Sequence, residues 1–149
     1  HALVRRQRQM CIRDSWMAKQ KILPSPAKKR ELLLQALYQK EISGDSNTEV
    51  LKQLKERHKK LDLTELNEIL KGIKKDQKTI DEIIIKNSKI KLDDIGEIEI
   101  SILRSMIHEM KKNSIDRSIS LSEAIRLAKK YGQDSSYKFI NAVLDKVKD

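Results

Sequence analysis

Apolar residues recur along most of the chain at intervals of three and four, which is the period of an amphipathic α-helix. The first such stretch follows Ser25-Pro26, a capping residue before a proline at the first helical position, and it extends to about residue 42. Six further stretches have this period, with apolar residues at 50–54, 66–73, 80–84, 98–110, 125–128 and 140–147. The pattern therefore predicts seven helices and an all-α fold.

The predicted helix boundaries coincide with polar and capping residues. Asp93 precedes the fifth helix, where a carboxylate stabilises a helix N-terminus. Ser120 and Glu123 have the spacing of a capping box ahead of the sixth helix, and Gly132 is placed to end it. Three consecutive isoleucines at 83–85 favour a strand by propensity, but no hairpin partner accompanies them, so we predict a helix there.

The composition agrees with this pattern. Of 149 residues, 36% are charged and only 3% are aromatic, with 4 glycines and 2 prolines, which excludes a β-sandwich, a collagen-like repeat and a disulfide scaffold. The length fits one compact domain. No apolar run approaches the roughly 18 residues that span a bilayer, and no secretory signal is present. With Cys11 as the single cysteine, these features predict a cytoplasmic protein without a membrane partner.

Residues 1–16 differ from the rest of the chain, because they have no helical or strand period and contain its only cysteine and only tryptophan. We interpret them as a foreign or disordered leader, with the native chain starting at Met17 and one helical domain spanning 17–149. A genuine basic extension and a start at Met10 are the alternatives.

The positive charge is concentrated near the beginning of the chain. Residues 1–16 contribute +3 to the formal net charge of +10, residues 17–30 contribute +5 without any acid, and residues 31–149 contribute only +2. A basic arm of this kind indicates a polyanionic partner.

Motifs for catalysis, metals or cofactors are absent from the sequence. His58 and His108 lie fifty residues apart, and the second lacks the additional histidine one turn later that a zinc-protease helix requires. The glycines are scattered singly, so they form neither a P-loop nor a dinucleotide fingerprint. No serine has the context of a nucleophile elbow. We therefore predict no catalytic residue, no metal site, no cofactor and no enzymatic activity.

Three blocks of sequence resemble the NusB family of bacterial transcription antitermination factors. They are AKKRELLLQALYQKEIS at 27–43, IGEIEISILRSMIHEM at 95–110 and SEAIRLAKKYGQDSSYKFINAVLDK at 122–146. The third block is the most specific, because it combines two helical motifs with a glycine stop between them. The resemblance implies the NusB-like fold of about seven helices in two packed helical subdomains.

The resemblance also implies a function and its partners. Members of the family bind the boxA element of ribosomal RNA leader transcripts together with the ribosomal small-subunit protein NusE. The pair joins an antitermination complex on RNA polymerase. For this chain, the implied function is transcription antitermination through boxA-type single-stranded RNA, in support of ribosomal RNA transcription.

Individual site residues follow from matching positions of the family motifs. A basic motif neutralises phosphates and an aromatic ring stacks on an unpaired base in single-stranded RNA recognition. Tyr38 and Phe139 also have an alternative interpretation as core residues. The NusE-facing surface is implied at Asp93 and Glu99. The positions implied for RNA binding are Lys28, Lys29, Arg30, Tyr38, Ser135, Lys138 and Phe139.

The chain departs from the family pattern before the sixth helix, where residues 116–122 lack the usual proline, lysine and asparagine. Ser135 replaces a common aspartate and Ala142 a common glycine, so RNA affinity and sequence preference are not determined by the resemblance. Two alternatives stay open: a domain fragment of a ribosomal RNA cytosine methyltransferase, and a helical protein-interaction module without RNA binding. The sequence is also compatible with a homodimer.

Overall fold

The structure is a computed structural model that describes residues 20–112 and 115–148. The interpretation of residues 1–16 as a leader concerns a segment outside the described residues. The described residues form six α-helices and one short 3-10 helix, Leu92–Asp94. The α-helices are α1 Pro26–Ser43, α2 Asn47–Arg57, α3 Thr64–Asn87, α4 Glu97–Lys111, α5 Arg117–Tyr131 and α6 Ser136–Lys146. The predicted all-α fold is confirmed.

Helix α3 combines the third and fourth predicted helices, so the described chain has one α-helix fewer than predicted. The sequence between the two predicted helices, 74–79, is polar but contains neither glycine nor proline, so nothing in it ends a helix. Ile73 and Ile80 are both buried and lie seven residues apart, which is close to two helical turns. The apolar face of α3 is therefore continuous, and the polar residues at 74–79 occupy the side of the helix that is not buried.

Capping residues set the ends of several helices. The Ser25 side chain accepts a hydrogen bond from the Lys28 backbone N–H at 3.1 Å and begins α1. Gly44 ends α1 with φ 73°, a left-handed conformation that favours glycine. As predicted, Gly132 ends α5. The predicted capping box at Ser120 is wrong, because α5 begins one turn earlier, where the Asp116 side chain accepts a hydrogen bond from Ser118.

Helix α4 is the centre of the molecule. Every residue from 100 to 108 is buried, including Ser101, Arg104 and His108. Helices α1, α2 and α3 contact one another, α5 and α6 contact each other, and α4 contacts helices of both groups. Burial around α4 therefore holds the two groups together, because apolar area removed from water is the main stabilising term.

A charged side chain on α4 also connects three helices. Arg104 donates two hydrogen bonds to the Asp81 carboxylate on α3, at 2.9 and 3.1 Å, and one to Glu41 on α1.

Among the described residues, no helix is long and apolar enough to cross a membrane.

Candidate nucleic-acid interface

One face of α1 carries two of the residues that the sequence analysis assigned to RNA binding. Lys28 lies three residues before Glu31 and Tyr38 lies seven residues after it, so both flank Glu31 on one face of the helix. The Tyr38 side chain is 38% exposed, and Lys28 is half-buried. The expectation of a basic residue and an exposed aromatic ring on one surface therefore has a structural basis at these two positions.

Glu31 connects this face of α1 to the second half of α5. Its carboxylate accepts hydrogen bonds from Lys130 at 2.8 Å and from Arg126 at 2.9 Å. Both hydrogen bonds lower the pKa of the Glu31 carboxyl, and the bond from Lys130 has the larger effect. Arg126 also pairs with Glu123 at 2.7 Å. The exposed part of α1 thus lies beside a row of basic side chains on α5.

The turn between α5 and α6 extends this row with two tyrosines. The Lys130 ammonium lies 5.3 Å from the Tyr131 ring centroid, and the Lys129 ammonium lies 4.9 Å from that of Tyr137. Both distances allow cation–π attraction. Lys138 is exposed, with its ammonium 6.0 Å from the Tyr137 ring. We define the basic-aromatic surface by Lys28, Tyr38, Arg126, Lys129, Lys130, Tyr131, Tyr137 and Lys138.

Five members of this surface lie outside the positions that the family motifs imply for RNA binding: Arg126, Lys129, Lys130, Tyr131 and Tyr137. The available signal was the alternation of lysine and tyrosine at 129–131 and 137–138, where aromatic residues lie among basic ones. In a sequence, however, a tyrosine in an amphipathic pattern is equally compatible with the core. The hydrogen bonds from Arg126 and Lys130 to Glu31 place the second half of α5 beside the Tyr38 face of α1. The rings of Tyr131 and Tyr137 are partly buried and also pack against the core.

The three residues of the basic motif at 28–30 have different environments. Arg30 is buried, and its guanidinium lies 2.8 Å from the Glu109 carboxylate and 3.7 Å from that of Glu123. The other Glu109 oxygen accepts a hydrogen bond from Ser120 at 2.6 Å. The expected phosphate contact by Arg30 is therefore inconsistent with its position, because its guanidinium is buried and paired with two carboxylates of the protein.

Lys29 lies on a different side of α1 from Lys28, because successive helical residues are rotated by about 100°. Its ammonium is 2.8 Å from the Glu65 carboxylate at the start of α3. Only Lys28 of the three basic residues therefore shares a face with Tyr38.

The remaining RNA-binding positions lie at the start of α6. Ser135 is exposed and precedes α6 without making a side-chain capping bond. Phe139 is half-buried and packs against the hydrophobic core. Tyr137 and Phe139 lie on opposite flanks of the buried face formed by Ile140 and Val143, so the two rings do not form one stack.

The two positions assigned to the NusE-facing surface have different environments. Asp93 is exposed in the 3-10 helix. Glu99 is half-buried in the first turn of α4 and accepts a hydrogen bond from the Ser136 hydroxyl at the start of α6. Glu99 thus connects the beginnings of α4 and α6 within the protein.

Within the described residues, no cluster of three or more histidine, cysteine and acidic side chains could hold a metal ion. His108 is buried beside Gly72 of α3, and desolvation lowers the pKa of its imidazole. A Cβ atom on Gly72 would lie 2.9 Å from the imidazole ring, so this histidine fills the space at a close approach of two helices.

The helical architecture and the basic-aromatic surface define a small all-helical domain with a basic face. A family model described as the NusB family matches residues 27–149, and the chain belongs to this family. This membership agrees with the prediction that the chain is not an enzyme.

Relatives of known name support the assignment. The chain is 41% identical over 122 residues to the transcription antitermination protein NusB of Buchnera aphidicola, covering 80% of this chain and 85% of the relative. It is 32% identical over 128 residues to the protein of the same name from Shewanella woodyi, covering 83% and 96% of the two chains.

Solved structures show the same fold. The chain resembles the NusB structure of T. maritima with a TM-score of 0.73 and 26% identity, covering 84% of this chain and 91% of that one. It also resembles a chain in the crystal structure of antitermination factors NusB and NusE in complex with double-stranded RNA. That similarity has a TM-score of 0.67 and 25% identity, and covers 78% of this chain and 90% of the other. The expected NusB-like fold is confirmed.

Proposed function

We propose that this protein is a transcription antitermination factor that binds boxA-type single-stranded RNA of ribosomal RNA leader transcripts. The observation that carries the proposal is the basic-aromatic surface, which joins Lys28 and Tyr38 of α1 to the lysines and tyrosines of α5 and α6. Family membership and the similarity to a chain from the complex of NusB and NusE with double-stranded RNA support it.

The chemistry of the surface suits an unpaired RNA strand. Lysine ammonium groups neutralise phosphates, and tyrosine rings provide stacking platforms for bases that are not paired. In this proposal Lys28, Lys129 and Lys138 contact the backbone, and the exposed ring of Tyr38 stacks on a base. Ser135 and the accessible edge of Phe139 border the bound strand at the start of α6.

The protein acts together with NusE in this proposal, and the pair joins the antitermination complex on RNA polymerase. Asp93 and Glu99, near the start of α4, provide negative charge toward NusE. Because Glu99 lies next to Ser136, the NusE-facing site is close to the RNA-binding start of α6. Binding of NusE would therefore position that partner beside the RNA.

The direct test is the binding of a short boxA RNA to the full chain, with and without NusE. A matched RNA with a scrambled boxA is the specificity control. We expect tighter binding of boxA than of the scrambled RNA and a further increase in affinity when NusE is present. Equal affinity for both RNAs, in the absence and presence of NusE, would contradict the proposal.

Two neighbouring lysines with the same chemistry distinguish the proposed surface from the rest of α1. Lys28→Ala should lower the slope of log affinity against log salt by about 0.7, corresponding to roughly fivefold weaker RNA binding at about 0.1 M salt. Lys29→Ala should leave the affinity nearly unchanged, because Lys29 is paired with Glu65 on another side of the helix. Fluorescence anisotropy at several salt concentrations measures both variants, and equal losses would show that the two lysines contact the same strand.

A charge-removing substitution tests the NusE-facing site without breaking its internal hydrogen bond. Glu99→Gln keeps an oxygen acceptor for Ser136 and removes only the negative charge. Affinity for NusE should fall by about two- to fivefold, the range expected for a solvated ion pair, with the thermal midpoint nearly unchanged. Glu97→Gln, at an exposed acid in the same turn, is the control, and an equal effect of both variants in calorimetric titrations would argue against a specific contact by Glu99.

A further inference from the structure

A groove between α2 and α3 is lined mainly by lysines. Its volume is about 640 Å³, and Lys52, Lys55, Lys59 and Lys71 line it together with a single acid, Glu56. None of the carboxylates that the structure describes lies within ion-pair distance of the first three lysines. Like charges held together without compensation repel one another, so the groove is poised for an anionic partner.

The lysines of the groove come from both helices. The Asn47 side chain, at the start of α2, donates a hydrogen bond to the Leu70 carbonyl of α3 at 3.3 Å, so α2 runs beside the first part of α3. Lys52 and Lys55 are one turn apart on α2, and Asn67 and Lys71 line the groove from α3. The positive charge is therefore concentrated where these two helices run side by side.

The basic groove adjoins the amino end of α1. The segment before α1 is hydrogen-bonded to the segment between α2 and α3. The Ile22 backbone N–H donates to the Lys60 carbonyl, and the Asp62 backbone N–H donates to the Ile22 carbonyl, both at 2.8 Å. The cleft next to the groove is lined by Lys21 and shares Lys55 with it. The segment that leads into Lys28 is therefore anchored beside the basic groove.

We infer that this groove binds the phosphate backbone of RNA that flanks the boxA element. The inference rests on the proposed function, because the groove adjoins the end of α1 that carries Lys28. None of the described residues that line the groove is aromatic, so they offer no ring for stacking a base. The groove therefore holds the flanking strand without regard to its sequence and lengthens the RNA footprint of the protein.

A second basic cleft provides a matched comparison. It lies at the carboxyl ends of α3, α4 and α6 and is lined by lysines that include Lys86, Lys111 and Lys146. Lysines at helix C-termini stabilise the local dipoles, which accounts for this cluster without a ligand. Arg117 in the same cleft donates hydrogen bonds to the Leu144 and Asp145 carbonyl groups.

The experiment compares two triple variants of the full chain with equal loss of charge. The groove variant is Lys52→Ala, Lys55→Ala and Lys59→Ala, and the control variant is Lys86→Ala, Lys111→Ala and Lys146→Ala. Four probes are used with each protein: a short boxA RNA, the same RNA extended by about ten uridines at its 5′ end, the same RNA extended by about ten uridines at its 3′ end, and a uridine oligomer without boxA. Thermal unfolding confirms that both variants are folded.

At about 0.1 M salt the unaltered protein should bind one of the extended RNAs roughly a hundredfold more tightly than the short RNA, with a salt slope larger by about 2 for three additional contacts. The groove variant should lose this gain and the control variant should keep it. An undiminished gain in the groove variant, or an equal loss in both variants, would overturn the inference. If the short boxA RNA does not bind to the unaltered protein, the proposed function fails. The groove is then tested by the uridine oligomer alone: weaker binding by the groove variant, but not by the control variant, supports an RNA-binding groove.

Discussion

Substitution of Arg30 by alanine should destabilise the fold instead of only weakening RNA binding. Removing one partner of a buried ion pair leaves a poorly solvated charge and costs about 3 to 5 kcal/mol. Arg30 faces Glu109 and Glu123, whose side chains keep 18% and 19% of their exposure. We therefore expect a loss near the lower end, about 3 kcal/mol in the free energy of unfolding.

Urea denaturation measures this loss, and Lys28→Ala is the matched control because it removes the same charge two residues earlier. Lys28→Ala should change the free energy of unfolding by less than about 0.5 kcal/mol, as is typical of surface substitutions. A stable Arg30→Ala protein that loses RNA affinity as Lys28→Ala does would show that Arg30 contacts phosphate.

Arg104→Met should have the largest effect on folding of the substitutions considered. The arginine is 8% exposed and donates to Asp81 on α3 and Glu41 on α1, so its removal leaves two carboxylates without their partner at the meeting point of three helices. Methionine fills similar apolar space, so the expected loss of about 3 to 5 kcal/mol is mainly electrostatic.

A second substitution separates this electrostatic loss from a loss of packing. In the double variant Arg104→Met with Asp81→Asn, the stranded charge on α3 is removed, and about 1 to 2 kcal/mol of stability should return, a coupling typical of residues in direct contact. Chemical denaturation of the two single variants and the double variant completes the cycle. Strictly additive losses would mean that Arg104 stabilises the core through its apolar stem and not through Asp81.

Several features of the fold could be predicted from the sequence because they depend on local chemistry. The Ser25-Pro26 start of α1 and the Gly132 end of α5 follow from the conformations that these residues favour. The apolar residues on α4 and α6 match the buried faces of those helices. The start of α5 could not be placed, because Asp116 and Ser120 are both competent caps and the pairing of Ser120 with Glu109 decides between them.

The sequence by itself determined the all-helical class of this protein, the family motifs and the basic character of its amino-terminal region, since helical period and charge are properties of neighbouring residues. The tertiary structure alone decided the roles of Lys28, Lys29 and Arg30. These three basic residues are consecutive in sequence but face a solvent-exposed surface, Glu65 and the half-buried Glu109 respectively. The physical reason is that each step along a helix turns the side chain by about 100°, so its partner is fixed by whichever helix packs on that side.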